Sequence, residues 1–132
     1  MEKKLIDANV LLRYLLKDDE ALFKRACELL EKVKVGEEAV VIPESVLAEC
    51  VYVLLKVYKV ERQTIGEKLR ILLLYKGVIN SDKQDLLDSM NLFVQTNLSI
   101  VDCLICAKSL NNKMPVFTFD DELRNLCRKK LN

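Results

Sequence analysis

Short apolar runs that alternate with helical segments constrain the fold of this chain more than any other feature of its sequence. The runs suit strands, and they are Lys4 to Asp7, Val40 to Ile42, "KGVINS" at residues 76–81, and Val116 to Phe119. Apolar residues at helical spacing predict the helices, which we place after Asp7, from Asp19 to Lys34, over 44–59 and 61–75, from Asp82 to Thr96, from Ser99, and up to about Lys130.

The order of these elements is strand–helix–helix three times, followed by strand–helix. Strands separated by helices pair in parallel through right-handed crossovers. Because runs such as "VVI" suit strands covered on both faces, the order predicts an α/β fold. We expect a three-layer α/β/α sandwich with a short, four- to five-stranded parallel sheet, built as one domain of residues 1–132.

Length and composition agree with an ordered, helix-rich protein. The chain has 132 residues, 51% of them hydrophobic and 31% charged, with only 3 Gly and 2 Pro. No apolar run approaches the roughly 18 residues of a membrane helix. Asp7 and Arg13 interrupt any apolar core of a signal peptide. We therefore expect a cytoplasmic protein that does not enter a membrane.

Histidine and cysteine usage narrows the chemistry. The chain has no histidine, which excludes imidazole acid–base catalysis and histidine-ligated zinc. Its five cysteines include a C-x-x-C at Cys103 and Cys106, but no second pair completes a zinc site. We expect the cysteines to be buried small hydrophobes. An enzyme of this composition would depend on carboxylates.

Five acidic residues fall near the expected carboxyl edge of the sheet. Asp7 ends the first strand, and Asp120 with Asp121 follows the last one. Glu49 lies in the helix after the second strand, and Asp102 begins the helix before the last strand. Ligands of open α/β sheets bind beyond the carboxyl ends of the strands, so these acids could converge there.

Some of these residues also have a structural interpretation. Asp and Asn are common N-caps, so Asp7 or Asn9 could cap the first helix, and Asp120 or Asp121 the last. Both interpretations remain open at this point.

Glu49 and Asp102 are each the single charge of an apolar stretch, Val46 to Leu55 and Leu98 to Ala107. Ser99 with Asp102 resembles a capping box, and Glu49 could face solvent. A buried, unpaired carboxylate costs several kcal/mol. Mg²⁺ or Mn²⁺ would meet the need for a cation. Acids without histidine thus indicate metal-assisted phosphodiester hydrolysis.

Four blocks of the sequence resemble the PIN-domain family, and most closely the toxin nucleases of VapBC-type toxin–antitoxin pairs. The blocks are "LIDANVLLRYLL", "VVIPESVLAECVYVL", "DCLICAKS" and "VFTFDDEL". They occur in family order and, with the helices between them, span nearly the whole chain. The resemblance implies a PIN-like fold and nuclease activity.

The resemblance assigns the four acids of a divalent-metal pocket to Asp7, Glu49, Asp102 and Asp120. It also implies supporting roles for Asn9, Ser99, Thr118 and Asp121. Two positions depart from the family: Ala8 replaces a usual Ser or Thr, and Ser99 replaces a frequent Asp.

The function that we expect is an endoribonuclease that uses Mg²⁺ or Mn²⁺, the toxin of a toxin–antitoxin pair. Asp7, Asp102 and Asp120 would hold the metal, and Glu49 would orient or deprotonate the attacking water. Two alternatives stay open: a PIN-type RNA-processing nuclease outside toxin–antitoxin systems, and a degenerate PIN domain that binds without cleaving.

Partners follow from the same reasoning. The net charge is only +1, so RNA phosphates would need local cations, for which Arg13, Lys17 and Lys108 are candidates. The apolar face of residues 46–58 and the neighbouring "RILLLY" exceed the needs of one small core. In the family, such helices form a homodimer and a groove for an antitoxin peptide.

Two other enzyme classes fit the motifs poorly. A phospho-receiver domain needs an acid pair after the first strand and an Asp after the third, whereas "LIDAN" has one acid and "GVINS" none. A haloacid-dehalogenase-type phosphatase needs D-x-D, which Asn9 interrupts.

Overall fold

The computed structural model describes residues 2–131, and the side chains of residues 129–131 are not described. The chain divides into two compact units, Met1–Ser81 and Asp82–Asn132. In chain order the elements are β1 (Lys3–Leu5), α1 (Ala8–Leu16), α2 (Glu20–Val35), β2 (Ala39–Val41), α3 (Glu44–Tyr52), a π-helical segment (Val53–Val57), α4 (Arg62–Leu73), α5 (Lys83–Gln95), α6 (Ile100–Asn112) and α7 (Asp121–Leu131).

The sheet of the first unit is small and parallel. β1 pairs with β2 in register, Lys4 opposite Val40, and Val40 also forms a parallel bridge with Val78. Val40 N–H donates to the Gly77 carbonyl at 2.8 Å, and the Val40 carbonyl accepts from Ile79 N–H at 3.0 Å. The segment after α4 therefore follows β2 for one bridge and does not continue as a strand.

Position 77 has no room for a side chain. A Cβ on Gly77 would collide with the carbonyl oxygens of Glu38 and Val33. Glycine therefore lets this segment approach β2 closely enough to bond Val40.

The predicted sheet of four to five strands is not formed by the described residues, although the α/β class is confirmed. The sheet has two strands, and residues 116–119 adopt no strand. Phe117 and Phe119 are 89% and 90% exposed. A strand is defined by backbone bonds to a neighbour, so a β-favouring composition such as "VFTF" does not suffice by itself.

The helices largely follow the prediction. Asp19 caps α2 by accepting from Leu22 N–H at 3.0 Å, and Gly36 ends it at a left-handed φ of 86°. The predicted helix over 44–59 changes at Tyr52 into a π-helical segment. The valines of this segment, Val53 and Val57, are β-branched and lower its helix propensity, because their side chains crowd the preceding turn.

The core of the first unit is aliphatic and surrounds β2. Burying each such side chain contributes roughly 1.5–3 kcal/mol. The largest side chains, all at most 2% exposed, are Leu11, Leu30, Ile42, Leu47, Leu54, Ile65, Leu69, Leu72 and Leu73.

A buried amide connects the end of β2 to the residues that follow α4. Asn80 is 9% exposed, and its Nδ2 donates to the Ile42 carbonyl at 2.7 Å. Its Oδ1 accepts from Ile42 N–H at 2.9 Å. Because Ile42 lies between β2 and α3, this pair of bonds helps to position the start of α3.

The second unit is helical: α6 packs against both α5 and α7. Polar contacts join α5 to α6, since Asn111 Nδ2 donates to Asp85 Oδ1 at 2.8 Å and to Asp88 Oδ2 at 2.9 Å. The core of this unit includes Leu86, Met90, Phe93, Cys103, Cys106 and Ala107. Within residues 2–131, no helix combines the length and apolarity needed to cross a membrane.

Replacing Asn80 with Ala should lower the free energy of unfolding by about 2 kcal/mol, because it leaves the N–H and C=O of Ile42 without partners. Urea denaturation followed by circular dichroism measures the change. Asn125→Ala, at an exposed position of α7, is the control and should change stability by less than about 0.5 kcal/mol. Equal effects of the two variants would contradict the role of Asn80.

Candidate active site

Asp7 stands between β1 and α1 and serves as the N-cap of α1. Its Oδ1 accepts from Val10 N–H at 3.1 Å, in the extended backbone conformation usual for a cap. The residue is exposed, which leaves its second carboxylate oxygen open to solvent. The capping interpretation is confirmed for Asp7, and it does not occupy the whole carboxylate.

Glu49 lies on α3 and is exposed, beside the fully buried Cys50. The Cys50 thiol donates to the Ala8 carbonyl at 3.8 Å, which joins α3 to the first turn of α1. Burial, followed by the negative charges of Glu49 and Asp7, raises the pKa of this thiol to about 12. Both carboxylates therefore act electrostatically on the same buried thiol.

Asp102 lies in the first turn of α6 and is half-buried. Ser99 caps this helix, its Oγ accepting from Asp102 N–H at 3.2 Å. The Asp102 carboxylate makes no reciprocal bond, so only half of the predicted capping box is formed. Burial and a hydrogen bond with Cys106 are the main causes that raise the pKa of the Cys127 thiol to about 12, with a further contribution from Asp102. Asp102 thus lies near α7.

Asp120 stands before α7, where its Oδ1 accepts from Leu123 N–H at 3.2 Å in the manner of an N-cap. Its own N–H donates to Thr118 Oγ1 at 3.0 Å. Arg124 donates to Asp121 Oδ1 and to the Thr118 carbonyl, at 2.7 Å each. Thr118 therefore positions Asp120, whereas Asp121 forms an ion pair.

The expectation that Glu49 and Asp102 are buried and therefore require a cation is wrong. Glu49 is exposed because α3 buries Leu47, Cys50 and Val51, a face that does not include position 49. Asp102 is only half-buried. Solvation satisfies such carboxylates, so their burial is no argument for a metal.

Arg13 and Lys17, which were predicted to bind substrate, also have contacts within the protein. Arg13 Nη1 contacts both carboxylate oxygens of Asp18 at 2.8 Å, and the hydrogen bond with Asp18 is the largest cause that raises the pKa of Arg13. The Lys17 ammonium lies 5.6 Å from the centre of the Phe23 ring. Lys108, on α6, is half-buried.

Arg25, which was not among the predicted site residues, lies on α2 beside Leu22, Ala26 and Leu29. These four residues line one cavity together with residues of α1. The signal was in the spacing, because positions 22, 25, 26 and 29 fall on one helical face, and Arg25 interrupts an otherwise apolar one.

The model of the PIN-domain family matches residues 4–129 of the chain. The chain belongs to the PIN-domain family. No curated protein and no solved structure is significantly similar to it. PIN domains are in general nucleases, and PIN nucleases typically use divalent metals and act on RNA. The resemblance seen in the sequence is confirmed at the level of the family.

The donor set of this PIN domain fits a hard divalent cation. Asp7, Glu49, Asp102 and Asp120 offer carboxylate oxygens, the ligands that Mg²⁺ and Mn²⁺ prefer. None of the four takes part in an ion pair with a described Lys or Arg. Within residues 2–131, no three acidic or cysteine side chains are grouped as a metal site. The chemistry of the donors agrees with a metal.

Replacing Asp7 with Ala should lower the free energy of unfolding by about 1 kcal/mol, because the variant loses the cap of α1. Asp7→Asn should leave stability within a few tenths of a kcal/mol of wild type, since Asn caps as well as Asp. Urea denaturation distinguishes the two. An Asn variant as unstable as the Ala variant would mean that the charge of Asp7, not its hydrogen bond, stabilises the PIN domain.

Proposed function

We propose that residues 1–132 are a single PIN-like nuclease domain, an endoribonuclease that depends on Mg²⁺ or Mn²⁺ and acts in the cytoplasm. The observation that carries this assignment is the family match over residues 4–129, which includes all four acids. None of the four acids forms an ion pair with a described residue. This supports the proposed metal dependence, because a carboxylate already neutralised by a Lys or Arg would bind a cation poorly.

Asp7, Asp102 and Asp120 are the proposed ligands of the metal, and Glu49 completes the set. The metal, when bound, would lower the pKa of the attacking water and offset the charge that develops on the phosphate. Glu49 is exposed and forms no described ion pair, so its carboxylate is free to orient that water and to accept its proton. The proposed products carry 5′-phosphate and 3′-hydroxyl ends.

The neighbouring residues would hold these carboxylates in place. Asp7 and Asp120 each use one oxygen as a helix cap, which fixes the side chain and leaves the other oxygen for a ligand. Thr118 bonds the backbone of Asp120, and Ser99 fixes the turn that carries Asp102. Asn9 stands two residues after Asp7 and is exposed, a position from which its amide can orient Asp7.

A PIN domain that binds RNA without cleaving it is the alternative that two residues favour. Ala8 is buried and carries no hydroxyl where the family usually has one, and Ser99 acts as a helix cap where the family often has an acid. Both changes remove oxygen ligands from the surroundings of the proposed metal.

Metal-dependent turnover tests the nuclease. The purified protein should cleave a structured RNA with Mg²⁺ or Mn²⁺ and stop in EDTA, and Asp7→Asn and Asp102→Asn should reduce cleavage to background. Asp19→Asn is a matched control, because Asp19 caps α2 as Asp7 caps α1. It should keep wild-type activity. Cleavage that persists in EDTA would exclude the metal mechanism, and binding without cleavage under either metal would favour the non-catalytic alternative.

We also propose that the protein is the toxin of a toxin–antitoxin pair and forms a homodimer. Tyr52, Val57, Ile71 and Leu74 are each more than half exposed, an apolar surface beyond what the core requires. A cavity of about 260 Å³ in the first unit, lined by Tyr14, Phe23 and Ile71 among others, is the proposed groove for an antitoxin peptide. An RNA-processing nuclease would need neither partner.

Val57→Lys should weaken the dimer at least tenfold, because it places a charge in the apolar surface while leaving the core untouched. Sedimentation equilibrium over a range of concentrations measures the dissociation constant. Val94→Lys, on α5 and 39% exposed, should leave it unchanged. A wild-type protein that stays monomeric at every concentration would contradict the homodimer.

A further inference from the structure

A cavity of about 250 Å³ lies between α1 and α2 and is lined by both apolar and cationic residues. The apolar lining includes Val10, Leu22 and Leu29. The polar lining residues are Asn9, Arg13 and Arg25. A cavity of this kind suits a ligand that has both a flat or aliphatic part and an anionic part.

Arg13 supplies a donor that no described residue uses. Its Nη1 is bound to Asp18, and Tyr58 donates to the same carboxylate at 3.2 Å, so the side chain is held in one position. The Nε of Arg13 is buried and has no hydrogen-bond partner among the described residues. A buried donor without a partner costs about 1–3 kcal/mol, and an acceptor brought by a ligand would remove that cost.

Arg25 supplies the net charge of the cavity. Asp18 balances the charge of Arg13, whereas Arg25 forms no ion pair with a described carboxylate. The Arg25 side chain is exposed on α2, where a ligand can reach it from solvent. A guanidinium in this situation favours phosphate, which it can bind through two parallel hydrogen bonds.

The cavity begins next to the proposed active site. Asp7 caps α1, Asn9 stands two residues further on, and Arg13 six. At 1.5 Å per residue, Asp7 and Arg13 are about 9 Å apart along the helix. An RNA strand whose cleaved phosphate lies at Asp7 can therefore reach the cavity with a neighbouring nucleotide.

We propose that the cavity between α1 and α2 binds a nucleotide adjoining the cleaved bond of the RNA substrate. Arg25 binds the phosphate of this nucleotide, and the Nε of Arg13 donates a hydrogen bond to the same phosphate. The ribose or base packs against the apolar lining residues. This assignment rests on the proposed nuclease function and adds to it a determinant of substrate binding that contains no proposed metal ligand.

The test is RNA binding without turnover. A fluorescein-labelled single-stranded RNA of about 12 nucleotides is titrated in EDTA with wild type, Arg25→Ala and Lys24→Ala, and anisotropy is followed across a range of NaCl concentrations. Lys24 is the matched control, since it precedes Arg25 on α2, is exposed, and does not line the cavity. Thermal denaturation of both variants should match wild type, because alanine is a good helix former.

Arg25→Ala should weaken RNA binding about five- to tenfold and reduce the slope of log K against log [NaCl] by about 0.7, the loss of one phosphate contact on a single strand. Lys24→Ala should change affinity less than about twofold and leave the slope unaltered. In the cleavage assay, Arg25→Ala should raise KM and leave kcat near wild type.

Equal slopes and affinities for the two variants would contradict the nucleotide site without contradicting the proposed nuclease activity. RNA binding that depends on Arg25 in a protein that never cleaves would sustain the site and remove the nuclease. If Arg25→Ala leaves RNA binding unchanged but abolishes binding of a labelled polyglutamate peptide, the cavity accepts an acidic peptide and the nucleotide assignment is wrong.

Discussion

The backbone of Val40 holds the first unit together, because both neighbouring segments bond to β2 around this residue. Its N–H and C=O bond residues 77 and 79, while Val41 next to it accepts from Ile6 N–H at 3.2 Å. The bond to residue 77 requires glycine there, because a Cβ would collide with backbone carbonyl oxygens. Asp7 follows Ile6 directly, so the position of one proposed ligand depends on a strand pair only three residues long.

The helices and their caps were predictable from the sequence, because both depend on short-range patterns. Asp19, Ser99 and Asp120 stand directly before apolar-periodic segments, and each bonds the N–H three residues on. The strands were less predictable, since strand formation depends on partners that are distant in the chain. The residues around Val78 find one bridge, and residues 116–119 adopt no strand.

The environment of the candidate site residues was not predictable from the sequence. An apolar stretch suggested that Glu49 is buried, yet only one face of a helix is buried, and position 49 lies off that face. Arg13 was chosen as a free cation, but Asp18 follows five residues later, after a left-handed residue at Lys17. Counting charges near an acid cannot detect such a local ion pair, which depends on the backbone turn.

Because Asp7 and Asp120 cap helices, an acid at these positions in a related sequence has two possible reasons, stability and catalysis. Selection for stability alone would retain an Asp or Asn at both positions, even in a descendant that had lost its catalytic role. Glu49 and the carboxylate of Asp102 cap nothing, and no described ion pair needs them. Their persistence or loss during evolution would therefore record selection for chemistry, whereas Asp7 and Asp120 record chemistry and folding together.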